Sequence, residues 1–259
     1  MKKSAFLLLA APLALAACGS SSSSVALDPV AYVKHAASKT AASPSEHMTM
    51  TGKVSFGPVR LTLTGTGDFS NSDHRGSFVG TESVAPGQNQ EFDEVLDGGS
   101  VYVSSPGVPG LPKGKRWIKL DLLDVEKYGN KHGIDYTSLM SENPTQQMQR
   151  LGAAGAVKSL GTETIDGVET THYQVTNLDI SKLPQGAKIE YAPIDVWIGN
   201  SDGYVYRYSM SFTYSMSGDS ASMTMTVNLS KFGEAVHVTV PPASETVDAT
   251  KWAGLRAGG

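Results

Sequence analysis

The sequence has one cysteine, Cys18, so no disulfide can form within the chain. It is also poor in charge: 18% of residues are charged, the formal net charge is −4, and there is no basic tract. A mildly acidic chain without a basic stripe is unsuited to the phosphate backbone of a nucleic acid. Catalytic signatures are missing as well. There is no P-loop and no H-E-x-x-H helix, and the one G-x-S-x-G string, Gly199 to Gly203, reads as a turn between two strands and not as an elbow leading into a helix. The six histidines are scattered, and His172 and His237 alternate with apolar neighbours, which is expected to turn them to solvent. The acidic stretch Glu91, Asp93, Glu94 and Asp97 lacks the spacing of a calcium loop and reads as a solvated strand and turn. No metal, cofactor or enzymatic activity is expected.

What is present begins at the N-terminus. Lys2-Lys3 precede an apolar run from Ala5 to Ala17. A run of about 13 residues is too short to span a bilayer and reads as a signal peptide over 1–17. Leu15-Ala16-Ala17-Cys18 resembles the bacterial lipobox, which assigns the lone cysteine as a diacylglyceryl attachment site. Residues 18–27, with GSSSSS at 19–24, then form a flexible polar tether. The expected location is the outer face of the cell membrane, held by lipid chains. A single domain is expected over 28–252, followed by a polar tail at 253–259.

Asp28-Pro29 is an N-cap followed by proline at the first helical position. With Val30, Val33 and Ala37 it predicts a helix over 29–42. From His47 the apolar period drops to two, and strands are predicted at 47–56, 61–69, 75–83, 90–96, 101–103 and 116–120. A second helix is predicted from Asn143-Pro144. Strands return at 157–164, 169–177, 188–199, 204–216, 221–230 and 236–240.

The strand "YVYRYSMSFTYSM" (204–216) is the most informative. Tyr204, Tyr206, Tyr208, Met210, Phe212, Tyr214 and Met216 alternate with Val205 and a row of hydroxyl residues. Each large apolar side chain is worth ~1.5–3 kcal/mol when buried, so this face must be covered. A second sheet could cover it, making a sandwich. Alternatively a few helices could cover one curved antiparallel sheet and leave space for an apolar guest. Two or three short helices, the first rich in alanine, look too small to fill such a surface. Met48, Met50, Met210, Met216, Met223 and Met225 all fall on inward positions, and methionine suits surfaces that accept varied apolar partners. Val54, Phe56, Leu61 and Leu63 complete the expected lining.

The lipobox, "VLDGGSVYV" (95–103), "RWIKLDL" (116–122), "GTETIDGVETTHYQV" (161–175), "IDVWIGNSDGYVYRYSM" (194–210) and "LSKFGEAVHVTVPPASETVD" (229–248) carry a resemblance. In order and spacing they resemble the actinobacterial LppX/LprA/LprF/LprG lipoproteins, relatives in fold of the LolA/LolB carriers. The resemblance implies an α+β, mainly β fold: a half-barrel antiparallel sheet with helices over its concave side. It further implies an apolar cavity for acyl chains of a lipid or lipoglycan, carried or presented between membrane and envelope. A monomer is expected, with an envelope transporter or acceptor protein as a partner. A sensor or adaptor of the same fold, binding a membrane protein or an envelope signal, is the competing expectation. Lys113, Lys115 and Arg116 around Trp117 form a candidate contact for an anionic headgroup or the membrane surface.

Overall fold

A computed structural model describes residues 28–85, 88–104, 111–124, 156–176, 188–191, 193–216 and 219–249. Helix α1, Pro29–Ala41, starts as its sequence dictates: the Asp28 carboxylate accepts from the Val30 amide at 3.3 Å, and Pro29 needs no intrahelical partner. Its buried stripe is Val33, Ala36, Ala37 and Thr40. These are small side chains, so the helix sits close to the sheet but covers little of it. Among the described residues α1 is the one substantial helix. The helix expected from Asn143 lies outside them.

The strands are β1 (Ser45–Phe56), β2 (Val59–Ser70), β3 (Arg75–Ala85), β4 (Gln88–Asp97), β5 (Ser100–Ser104), β6 (Trp117–Asp121), β7 (Ala156–Ile165), β8 (Val168–Thr176), β9 (Lys188–Tyr191), β10 (Ile194–Gly199), β11 (Val205–Met216), β12 (Asp219–Ser230) and β13 (Thr246–Asp248). All thirteen belong to one sheet, in the order β13-β6-β5-β4-β3-β2-β1-β12-β11-β10-β8-β7, with β9 beside β11. The sheet is open, ending at β13 and β7. It is mixed: β13 runs parallel to β6, and every other pair is antiparallel. No second sheet covers the first among the described residues, which removes the sandwich.

Three details differ from the sequence pattern. The expected strand 188–199 is two strands, β9 and β10, separated at 192–193, where Pro193 has no amide to donate. Residues 236–240 form no ladder. They belong to an extended strap from Lys231 to Pro242 that leaves β12 and reaches β13. Backbone groups fasten it: Gly233 donates to the Ser45 carbonyl at 3.0 Å, and the Arg116 amide donates to Glu245 at 2.9 Å. The third difference is in β11. A bulge opposite Trp197 and Ile198 inserts Tyr206 as an extra residue and reverses the alternation before it. Val205, expected outward, is therefore buried at 0% exposure.

The core lies between α1 and the sheet. Val33, Ala36 and Ala37 meet Met48, Val175, Ile194, Val196, Ile198, Val205, Tyr208, Val227 and Leu229. α1 is anchored over the β8–β11 side. The Thr40 hydroxyl accepts from the Val205 amide at 2.9 Å, and Tyr32 lies 5.7 Å from Tyr173 of β8. The face that α1 packs on is called the inner face below.

Candidate functional site

The ladder registers arrange the inner face in rows across the strands. One row runs Leu229, Met48, Gly67, Phe78, Glu94, Val103, Ile118. The next runs Tyr208, Val227, Met50, Gly65, Gly80, Phe92. Beyond these come Met210, Met225, Gly52, Leu63, and then Phe212, Met223, Val54, Leu61. Burial falls steadily along this series. Met48 and Leu229 are buried, Met225 is at the boundary, and Met50, Met210, Phe212, Met223, Val54, Leu61 and Leu63 are half-buried. Phe56, at the far end, is 53% exposed. Geometry explains the gradient: a helix of 13 residues is about 20 Å long, whereas a strand of 12 residues is about 40 Å.

The β2–β4 part of this face has a feature of its own. Gly65, Gly67, Gly76 and Gly80 all point inward, and phenylalanine rings lie on them. A Cβ on Gly65 would fall 2.3 Å from Phe78 Cζ, one on Gly76 2.3 Å from Phe69 Cδ1, and one on Gly80 2.3 Å from Phe92 Cζ. The missing side chains let the rings lie against the backbone. The result is an apolar floor that stays low over three strands. Sequence periodicity placed Gly65 and Gly67 inward but missed the partners Gly76 and Gly80; the pattern F-x-G at 78–80 was the available signal.

Glu94 interrupts this floor. It alternates with Phe92 and Leu96 and lies opposite Phe78 and Val103. The expectation of a solvated strand therefore fails at this residue. Burial raises its carboxyl above the usual carboxylate range, with no charged or hydrogen-bonding neighbour among the causes. Its neighbours Asp93 and Asp97 do face outward, where Asp97 pairs with Arg75 at 2.7 Å and Asp93 stands 4.0 Å from Arg116.

The other expected site residues are dispersed by the fold. Tyr204 and Tyr206 leave the β11 row: Tyr204 stacks on Phe232 at 4.4 Å, and Tyr206 meets the same ring edge-on at 5.4 Å. The Tyr206 hydroxyl donates to Asp202 at 2.7 Å. Desolvation first, then the Asp202 hydrogen bond and charge, push it up to about 12. Tyr208 remains inward at 0% exposure, and its hydroxyl has no hydrogen-bond partner among the described residues. Burial, and secondarily the Glu46 charge, raise it well above the tyrosine norm. Cys18 and the side chains of Tyr214 and Met216 lie outside the described residues. Lys113 and Arg116 are exposed and Trp117 is half-buried at the start of β6. Lys115 has a structural task, donating to the Ala243 and Ser244 carbonyls of the chain leading into β13 at 3.1 and 2.9 Å.

On the outer face His172 is not solvated as expected. It stacks on Trp197 at 4.1 Å and sits between Glu163, at 3.0 Å, and Asp195, at 2.9 Å. The Trp197 indole donates to the second Glu163 oxygen at 2.9 Å, the leading cause of that carboxyl's lowered pKa. No group of three or more His, Cys, Asp or Glu among the described residues is arranged to hold a metal.

Comparison with known proteins adds a fold likeness. The chain is structurally similar to the lipoproteins LppX and LprF. LppX of Mycobacterium tuberculosis matches over 81% of this chain and 97% of its own, with 16% identity and a TM-score of 0.46. LprF from Mycobacterium bovis matches over 82% and 96%, with 14% identity and a TM-score of 0.46. No family model matches the sequence. Among curated proteins, an uncharacterized 31.2 kDa protein of Streptomyces griseus is 28% identical over 153 residues, 52% of this chain and 48% of that protein. A candidate lipoprotein of Streptomyces coelicolor is 29% identical over 136 residues, 52% of this chain and 43% of its own length. The chain thus spans about half the length of the curated relatives it matches.

Proposed function

We propose that this chain is a lipid-anchored envelope protein that holds acyl chains of a lipid or lipoglycan against the inner face of its sheet, for carriage or presentation. One observation carries the reading: the apolar inner face extends beyond the one described helix that packs on it, with Met50, Leu61, Leu63, Phe212 and Met223 half-buried and Phe56 exposed. Full burial of such a side chain is worth ~1.5–3 kcal/mol, so completing the cover of seven half-buried ones returns several kcal/mol. An alkyl chain supplies that cover without hydrogen-bonding demands. The rings laid on glycine keep the floor low and leave depth for it.

The lipobox at Cys18 and the similarity to the Streptomyces coelicolor lipoprotein support the anchor, and with it a site at the membrane surface. Partition alone drives binding, so the reading needs no catalytic group. Lys113 and Arg116 are exposed, and an anionic headgroup at the membrane would compete with Asp93 for Arg116. The direct experiment is native mass spectrometry of the protein extracted without added lipid. Co-purifying lipid, displaced by a Met223→Trp substitution that plugs the row, is the expected result. Absence of bound lipid, together with no uptake of a fluorescent fatty acid, overturns the proposal.

A further inference from the structure

Glu94 places a carboxyl where the proposed site has no other use for one. Its inward row neighbours are Phe78, Val103 and Ile118, and its own strand flanks it with Phe92 and Leu96. The basic groups near this region face the opposite side. Arg75 pairs with Asp97, Arg116 approaches Asp93, and Lys119 lies 6.0 Å over the Tyr102 ring. No ion pair or hydrogen bond to Glu94 is present among the described residues. A carboxyl set in an apolar wall without a partner is costly to keep. Here it sits beside the ring-covered floor, between the buried Phe78 and the half-buried Phe92, at the point where an acyl chain reaching Phe92 would end or bend. The residue is half-buried, and that burial raises its pKa.

We propose that Glu94 is the specificity-determining residue of the inner face, accepting a hydrogen bond from a hydroxyl or ammonium group carried by the bound amphiphile. This inference rests on the acyl-binding reading above and names the class of guest: a lipid with a hydrogen-bond donor next to its alkyl chain, in preference to a fully esterified or etherified one. A carboxyl accepts from such a donor in either protonation state. An ether in the same place leaves it unpartnered, and one lost hydrogen bond to a buried or charged group corresponds to about a tenfold loss of affinity.

The test uses the full chain and three probes of equal alkyl length, dodecanol, dodecylamine and dodecyl methyl ether, each displacing a fluorescent fatty acid. The wild type is expected to bind the alcohol or the amine about tenfold more tightly than the ether. In Glu94→Leu that gap is expected to close. Glu94→Gln separates the donors: a preference for the alcohol survives it, whereas a preference for the amine, which needs the carboxylate charge, does not. Thermal unfolding shows that Glu94→Leu is folded, and its Tm is expected to be no lower than that of the wild type. Equal binding of all three probes by the wild type, or a gap that persists in Glu94→Leu, overturns the role of Glu94 and leaves the acyl-binding proposal standing. Failure of the wild type to bind any probe overturns both.

Discussion

Gly80→Ala isolates the ring-on-glycine floor in one methyl group. The new Cβ would lie 2.3 Å from Cζ and 2.5 Å from Cε1 of Phe92, and 3.0 Å from the Thr64 carbonyl oxygen. The last contact is tight but tolerable, so the clash is with the ring. Two effects oppose each other. Alanine costs less backbone entropy than glycine in a strand, worth ~0.5–1 kcal/mol in favour of the variant. Overpacking against a seated side chain costs ~1–3 kcal/mol. The clash outweighs the entropy over nearly all of these ranges, leaving a net loss of up to ~2.5 kcal/mol, and in a domain of this size each kcal/mol moves Tm by ~2–4 °C. Gly52→Ala is the control on the same face. Its Cβ would meet only Leu63 Cβ at 3.7 Å and the Thr224 carbonyl at 3.8 Å, ordinary contacts. It is expected to match the wild type or exceed it slightly. Adding Phe92→Leu to Gly80→Ala is expected to restore part of the loss, a coupling of ~0.5 kcal/mol or more. Differential scanning fluorimetry on these three variants and on Phe92→Leu alone measures all of this. If Gly80→Ala proves as stable as Gly52→Ala, Phe92 does not rest on Gly80 and the low floor is wrong.

Four further outcomes follow from the same geometry. Tyr208→Phe removes a buried hydroxyl that has no partner, so chemical denaturation is expected to show stability unchanged or raised by ~1 kcal/mol. The raised carboxyl of Glu94 binds its proton more tightly folded than unfolded, so its cost is absent at low pH and grows as pH rises through the normal carboxylate range and beyond; Glu94→Gln is expected to flatten that decline in a Tm-against-pH series. Trp197→Phe deletes the indole donor to Glu163, and the NMR titration midpoint of that carboxyl, held low in the wild type, is expected to rise. Lys113→Glu with Arg116→Glu is expected to slow lipid transfer to anionic liposomes and leave transfer to neutral ones alone, as a salt-sensitive contact requires.

Much of the strand layout was legible because one face of most strands is apolar and period two is hard to mistake. β1, β2 and β12 show this best: Met48, Met50, Val54, Met223 and Met225 fall inward as their alternation demands. The helix start at Asp28-Pro29 was legible for a different reason, since a cap and a first-turn proline act locally. What escaped was set by neighbours in space. The bulge at Tyr206 exists only in the pairing of β11 with β10, and a strand that alternates without fault gives no sign of it. Two of the tyrosines that looked like lining belong instead to a cluster on Phe232.

The same limit explains why the acidic stretch misled. Glu91, Asp93, Glu94 and Asp97 read as one solvated patch because charge is judged along the chain, while a strand sorts alternate residues onto opposite faces. Parity with Phe92 and Leu96 puts Glu94 with the rings, and parity with Val95 puts Asp93 and Asp97 with Arg116 and Arg75. Asp97 therefore obtains a cationic neighbour from the adjacent β3 and Asp93 one from the residue before β6, whereas Glu94 has none among the described residues. A fold selected for stability alone would place leucine at 94, since an apolar residue of similar size avoids the desolvation cost. On the proposed reading a donor on the guest offsets that cost, so the Glu94 variants test the guest and the carboxyl together.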